Sequence, residues 1–204
     1  MKKLFSLPLL GTLLLSLFSF SNPPEKNATT STYHVLPEKS NLVWIGKKVT
    51  GEHSGTISVK EGSLEVANSK VTGGKVVIDM NSIVDTDIAD AGMNGKLVGH
   101  LKGDDFFGVA TFPTAELVIT KVDGNNFSGN LTIKGITNPT SFTATASKDG
   151  KNTVYKGTIT VDRSKYNVRY GSKSFFDNLG DKVIYDEFTL EFNLVLPSNL
   201  KSEI

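Results

Sequence analysis

The sequence predicts an all-β protein of antiparallel strands, on three observations. Apolar and polar residues alternate with period two over most of the chain from Tyr33 onward, the pattern of strands with one dry and one wet face. The segments between these runs are glycine-rich, as in Asp123-Gly124-Asn125, Asp149-Gly150-Lys151 and Gly73-Gly74, which marks tight turns. About eight runs follow one another at the interval of a sandwich or barrel. No internal repeat, charge block or change of composition divides the 204 residues, so one domain holds them, with enough chain for a substantial core.

Residues 1–21 read as a signal peptide. Lys2 and Lys3 form a charged start, Leu4 to Phe18 a mainly apolar run, and Ser19-Phe20-Ser21 a small-x-small cleavage signal, the three-part layout of a secretory leader. With Pro8 and Gly11 inside it, the run is short for a membrane span of ~20 residues. Cleavage near Ser21 implies a periplasmic or secreted protein with no stable membrane span afterwards. Residues 22–32, rich in Pro, Asn, Ser and Thr, predict a flexible start to the mature chain.

Strands are expected at 41–49, 55–60, 62–67, 74–80, 114–122, 126–134, 140–147, 153–161 and 183–196, with 33–36 as an extra one and 198–204 as a tail. The sequence Leu42-Val43-Trp44-Ile45-Gly46 is apolar on both faces; it suits a strand buried on both sides or an inner face lining a cavity. Phe127, Gly129, Leu131 and Ile133 share one face. Tyr155, Gly157, Ile159 and Val161 share another, as do Ile184, Phe188, Leu190, Phe192, Leu194 and Leu196. Between the strands, Asp87 to Lys102 carries Met93, Leu97, Val98 and Leu101 at spacings of three and four. Acids begin this segment and basic residues end it, which complements a helix dipole. Gly92, Gly95 and Gly99 each weaken a helix by up to ~1 kcal/mol against alanine. The expectation is one or two short helices on a long connection.

Composition removes several function classes. With 22 basic and 21 acidic residues the charge is +1, and without Lys2 and Lys3 it is 20 against 21, or −1. Such a chain has no field to hold nucleic acid, and it has only two arginines, Arg163 and Arg169. The absence of cysteine excludes disulfides, thiolate metal sites and cysteine nucleophiles. There is no Gly-x-Ser-x-Gly elbow, and Gly46 and Gly51 have phosphate-loop spacing with Glu52 where lysine is needed. His34, His53 and His100 lie at no metal-ligand spacing. Asp85, Asp87 and Asp90 resemble the opening of a calcium loop, but Asp90 replaces its glycine and Lys96 its final glutamate. They read better as acids at a helix start. What remains is apolar: Asp104-Asp105-Phe106-Phe107 and Ser174-Phe175-Phe176-Asp177 set paired aromatics in polar segments. Such rings plug the end of a core or meet a ligand.

Four segments in order resemble the YceI-like family of secreted lipid-binding proteins. They are Ser40 to Val49 with Gly51 to Thr56; Lys96 to Phe107, with Phe112-Pro113 after it; Gly129 to Thr137; and Asp162 to Val168. The resemblance runs from about Tyr33 to Pro197, so the domain is placed at 33–197. It implies an extended antiparallel lipocalin-like β-barrel whose apolar pore holds a polyisoprenoid or other long-chain lipid, with no cofactor and no catalytic residue; from the spacings above, no metal-ligating residue is expected. No nucleic-acid partner is expected, and a homodimer is permitted. The chain departs from the family pattern at Asn167, where glycine is usual, and at Gly108, where aspartate is common; Tyr170 to Asp181 resembles an insert of a family subset.

The ligand-binding residues expected on this reading are Trp44, Ile78, Leu97, His100, Leu101, Phe106, Phe107, Phe112, Leu131, Ile133, Phe142, Ile159, Phe175, Phe176 and Phe188. Lipid entry is expected beside the helix and the two Phe-Phe pairs, where the connections are long. Two rivals stand beside the carrier: an enzyme acting on a lipid or quinone in the same pore, with His100, Asp104, Asp105 or Asp186 as acid–base groups, and a ligand-free structural or adhesion β-domain. A carboxylate–histidine pair facing the pore favours the first, and a solid core favours the second.

Overall fold

The computed structural model describes residues 29–198; the expected leader, most of the 22–32 segment and the tail from 199 lie outside the described residues. In chain order the elements are β1 (Thr30–His34), a 3-10 turn at Pro37–Lys39, β2 (Asn41–Lys48), β3 (Gly51–Ala67), β4 (Lys70–Asp85), α1 (Ala91–Lys102), β5 (Thr114–Asp123), β6 (Asn126–Ile133), β7 (Ile136–Asp149), β8 (Asn152–Asp162) and β9 (Ile184–Pro197). Each strand from β2 to β9 pairs antiparallel with its sequence neighbour, and β2 also pairs with β9. The result is a closed eight-stranded antiparallel barrel with one helix, which leaves no free edge among these strands. β1 continues the line of β2 along the second half of β3.

Two expected strands, 55–60 and 62–67, are one: β3 runs through Glu61-Gly62 with a register shift between Val59 and Glu61. A Cβ on Gly62 would stand 3.0 Å from the Val35 side chain and 3.1 Å from the Lys75 carbonyl, so its role is close packing. The extra strand at 33–36 lies earlier, at 30–34. Thr30 to Thr32, assigned by composition to a flexible segment, pair with Ala67 to Glu65. α1 is a single helix. The Asp90 carboxylate caps it by accepting from the Met93 amide at 2.8 Å, which satisfies an orphan amide of the first turn. A Cβ on Gly95 or Gly99 would meet nothing, while Leu97 and Leu101 turn toward the core.

The antiparallel order gives the barrel two unlike ends. At one lie the β2–β3 and β6–β7 turns and both long connections, the β4–β5 segment with α1 and the β8–β9 segment with Arg163 to Val183. At the other lie the tight β3–β4, β5–β6 and β7–β8 turns. The described chain also begins and ends there, since Thr30 pairs with Ala67 and Pro197 with Asn152.

Candidate functional site

The inward side chains leave a cavity instead of filling the barrel. Its free volume is about 160 Å³, and its walls are almost wholly apolar. Ile184 and Leu194, ten residues apart on β9, both line it. At ~3.3 Å per residue that is ~33 Å along the strand, or about 25 Å along the axis at the usual barrel tilt. A small free volume over that length is a narrow slot. Toward the tight-turn end the wall is aromatic: Phe127 stacks on Phe142 with centroids 5.4 Å apart, and Phe142 meets Phe192 edge-on at 5.7 Å. A Cβ on Gly157 would stand 2.7 Å from the Phe192 ring and 2.3 Å from the Thr143 carbonyl, so only glycine leaves this ring its place.

Trp44 lines the slot and donates its indole N–H to the Val84 carbonyl at 3.1 Å. Its ring occupies the space that a side chain at Gly55 would need, because a Cβ there would approach it to 2.6 Å.

At the long-loop end Phe106, Phe107 and Phe188 close the slot edge-to-face, with centroids 5.0 and 6.2 Å apart. Arg163 stands behind Phe106, its guanidinium carbon 5.3 Å from the ring centroid. It is 2 % exposed and donates to the carbonyls of Tyr185 (3.1 Å), Val168 (2.8 Å) and Ile184 (3.0 Å). Asp186 lies 3.5 Å away. Burial pushes the guanidinium below its ordinary value, while Asp186 and Asp162 pull it back up. The fork geometry suits a strap holding the β8–β9 connection to the barrel rim.

The structure brings ten of the fifteen expected residues into the slot wall: Trp44, Ile78, Leu101, Phe106, Phe107, Leu131, Ile133, Phe142, Ile159 and Phe188. The other five lie outside it. Leu97 packs on the core from α1. Phe112 fills the space above Gly135, where a Cβ would be 3.2 Å from its ring. Phe175 is exposed, with the Arg169 guanidinium 4.9 Å over its ring. Phe176 is 49 % exposed and borders a separate outer groove of about 730 Å³ with Tyr170, Asp104, Asp105 and Lys134. The β8–β9 connection carries the second Phe-Phe pair past the rim, so the two pairs do not meet across one mouth. His100 contacts Tyr170 (4.2 Å) and Phe106 (5.7 Å) edge-on, and its Nδ1 lies 3.2 Å from Asp105. This pair exists, but neither member lines the slot. Asp186 accepts from the Ser174 hydroxyl at 2.7 Å and lies outside the lining too.

Residues absent from the expected set include Leu42, Leu117, Tyr155, Leu190, Phe192 and Arg163, all of which line the slot. Leu42, Tyr155, Leu190 and Phe192 sit on the same alternating faces as those chosen, and Leu117 alternates with Ala115 and Ile119 on β5, so strict alternation finds all five. Arg163 carries no such signal, because its partners are backbone carbonyls.

The YceI-like domain matches residues 33–196. A UPF0312 protein from Shewanella denitrificans is 32% identical over 97 residues, which cover 45% of this chain and 48% of that protein; the chain thus spans about half the length of the curated relative it matches. The crystal structure of Burkholderia cenocepacia BcnA superposes with a TM-score of 0.62 at 24% identity, covering 79% of this chain and 98% of that one. A structure described as a polyisoprenoid-binding domain from Saccharophagus degradans, implicated in plant cell wall breakdown, gives 0.56 at 17% identity over 82% and 98%. These two superpositions carry the fold, and with four-fifths of its length matched by one domain, this chain belongs to the YceI-like family.

Proposed function

We propose that this protein binds and carries a polyisoprenoid or similarly slender amphiphilic lipid in its slot, without catalysis. The observation that carries the reading is the apolar slot inside the closed barrel, whose lining runs about 25 Å as estimated from strand rise and tilt. That exceeds half of a ~30 Å bilayer core, or ~15 Å, and so suits a tail longer than one leaflet. Burying ten methylene-sized groups gains roughly 8 kcal/mol gross, against which stands the cost of ordering the chain. An acid–base enzyme in the same pore is less well supported, because neither His100 nor Asp105 lines the slot. A solid-core adhesion domain is less well supported because the slot is there. The polyisoprenoid-binding description of the Saccharophagus domain agrees with the carrier reading.

Native mass spectrometry of the purified chain tests it, before and after delipidation and reloading with prenols of increasing length. The expected result is a one-to-one adduct, with Ala144→Phe reducing loading because Ala144 is 4 % exposed and lines the slot. No adduct at any length would overturn the proposal. We also propose export through the leader at residues 1–21, and intact mass of the exported chain is expected to place its start near Asn22.

A further inference from the structure

We infer that His53, Asp85 and Asp87 form a binding site for a divalent transition cation of the zinc class. The site lies at the long-loop end, where the start of β3 meets the connection from β4 to α1, and it is independent of the lipid reading. One ligand atom from each residue lies within 4.8 Å of the other two. His53 Nδ1 and Asp87 Oδ2 are 3.1 Å apart, close to the ~3.4 Å edge of a tetrahedron with bonds of about 2.1 Å.

The buried carboxylate is what points to a ligand. Asp85 is 7 % exposed. Its Oδ1 accepts from the Ile88 amide at 2.9 Å and the Asn94 side-chain amide at 3.0 Å. Its Oδ2 is buried and has no hydrogen-bond partner. One oxygen held by the protein and one left bare is the arrangement of a monodentate metal ligand, and a buried oxygen left bare is otherwise costly. Asp87 is oriented in the same way, its Oδ1 accepting from the Ser54 amide at 3.1 Å.

Charge agrees with this. Two carboxylates adjoin here, and among the described residues no lysine or arginine forms an ion pair with either; His53 is the sole partner of that kind. One imidazole and two carboxylates suit a borderline ion such as Zn²⁺, with water completing the shell. Ca²⁺ needs six to eight oxygens and is the poorer fit. Sequence spacing hides the site, since His53 precedes Asp85 by 32 residues and Asp87 by 34. A bound ion would tie the β2–β3 hairpin to the root of α1, whose Asn94 donates to both the carbonyl and the carboxylate of Asp85.

The test uses the full chain as purified, stripped with a chelator, and reads zinc binding by calorimetry and thermal unfolding. Zn²⁺ is expected to bind one-to-one and to raise Tm. Asp87→Asn and His53→Gln are each expected to weaken binding by at least roughly 100-fold, since losing a residue that merely supports a ligand already costs about 10–100-fold, and to abolish the Tm rise. Both side chains are partly exposed, so the folded state is retained, which circular dichroism checks; Asp85 is left intact because its Oδ1 organises the turn. His100→Ala, which removes the other histidine–aspartate pair, is expected to bind zinc unchanged. No zinc binding by the wild type, or binding undiminished in both variants, overturns the site; that is the result if a proton shared between the two aspartates fills it. Tighter binding of Ca²⁺ than of Zn²⁺ overturns the assignment to a transition ion.

Discussion

Replacing Arg163 with methionine keeps much of the side chain's length and apolar stem while removing all its donors. The Val168 carbonyl then loses its donor at a residue that is 0 % exposed, a loss of about 1–3 kcal/mol. The Tyr185 and Ile184 carbonyls are only partly buried and contribute at the low end, about 1 kcal/mol each. Asp186 keeps 21% of its side chain exposed, but the Oδ1 that faces the guanidinium is buried with no hydrogen-bond partner, so losing the cation places the total toward the upper end. The sum is about 3–5 kcal/mol, in the range for breaking a buried ion pair. Urea unfolding followed through Trp44, the only tryptophan, measures it. With a slope of about 2 kcal/mol/M, the midpoint is expected to fall by about 2 M. Arg163→Lys should recover only part, because an ammonium does not span three carbonyls in a fork. Asp186→Asn should cost about 1 kcal/mol or less, since the contact is long at 3.5 Å and the facing Oδ1 has no hydrogen bond to lose. A loss under ~1 kcal/mol for Arg163→Met at unchanged slope would refute the strap and make the three contacts incidental.

Other substitutions probe the wall. Leu131→Ala is expected to cost about 2–3 kcal/mol, the low end for a core leucine because one side already faces free volume; Thr132→Ala should cost well under 1 kcal/mol, and equal urea midpoints would mean the register is wrong. Gly55→Ala forces a Cβ to within 1.9 Å of the Val84 carbonyl, so a loss of at least 1–3 kcal/mol is expected, with altered Trp44 emission. Gly46→Ala, with nothing within 4 Å of its Cβ, should stay within about 0.5 kcal/mol. Phe106→Ser is expected both to lower Tm and to speed release of a fluorescent isoprenoid, whereas Phe175→Ser should change neither much. A faster release from the Phe175 variant at unchanged Tm would restore the second aromatic pair to the gate.

The alternation that predicts the barrel also predicts most of its inner wall, because one residue placed inward sets its neighbours two positions away. Leu131, Ile159 and Phe188 follow from that rule alone. Loop residues obey no such period. Phe106 and Phe175 look alike in sequence, yet one is buried under the barrel rim and the other lies outside it. The difference rests on the path of the β8–β9 connection, which Arg163 sets through backbone carbonyls that no side-chain pattern encodes. Glu61-Gly62 misleads for a related reason: a glycine that ends a strand and one that admits Val35 read the same. The family resemblance supplies the barrel in place of the sandwich, a choice that period-two patterns leave open.

The two ends of the described chain leave the barrel beside the tight turns, away from α1 and the long connections. A group joined next to Thr30 or Pro197 therefore attaches to the pole remote from Phe106 and Arg163. On a sensor surface, capture through the C-terminal end would orient the molecules alike, with the aromatic rim turned toward solution. Vesicles passed over such a layer would meet the aromatic rim first, so the proposed exchange of ligand with a bilayer can be timed without cutting or permuting the chain.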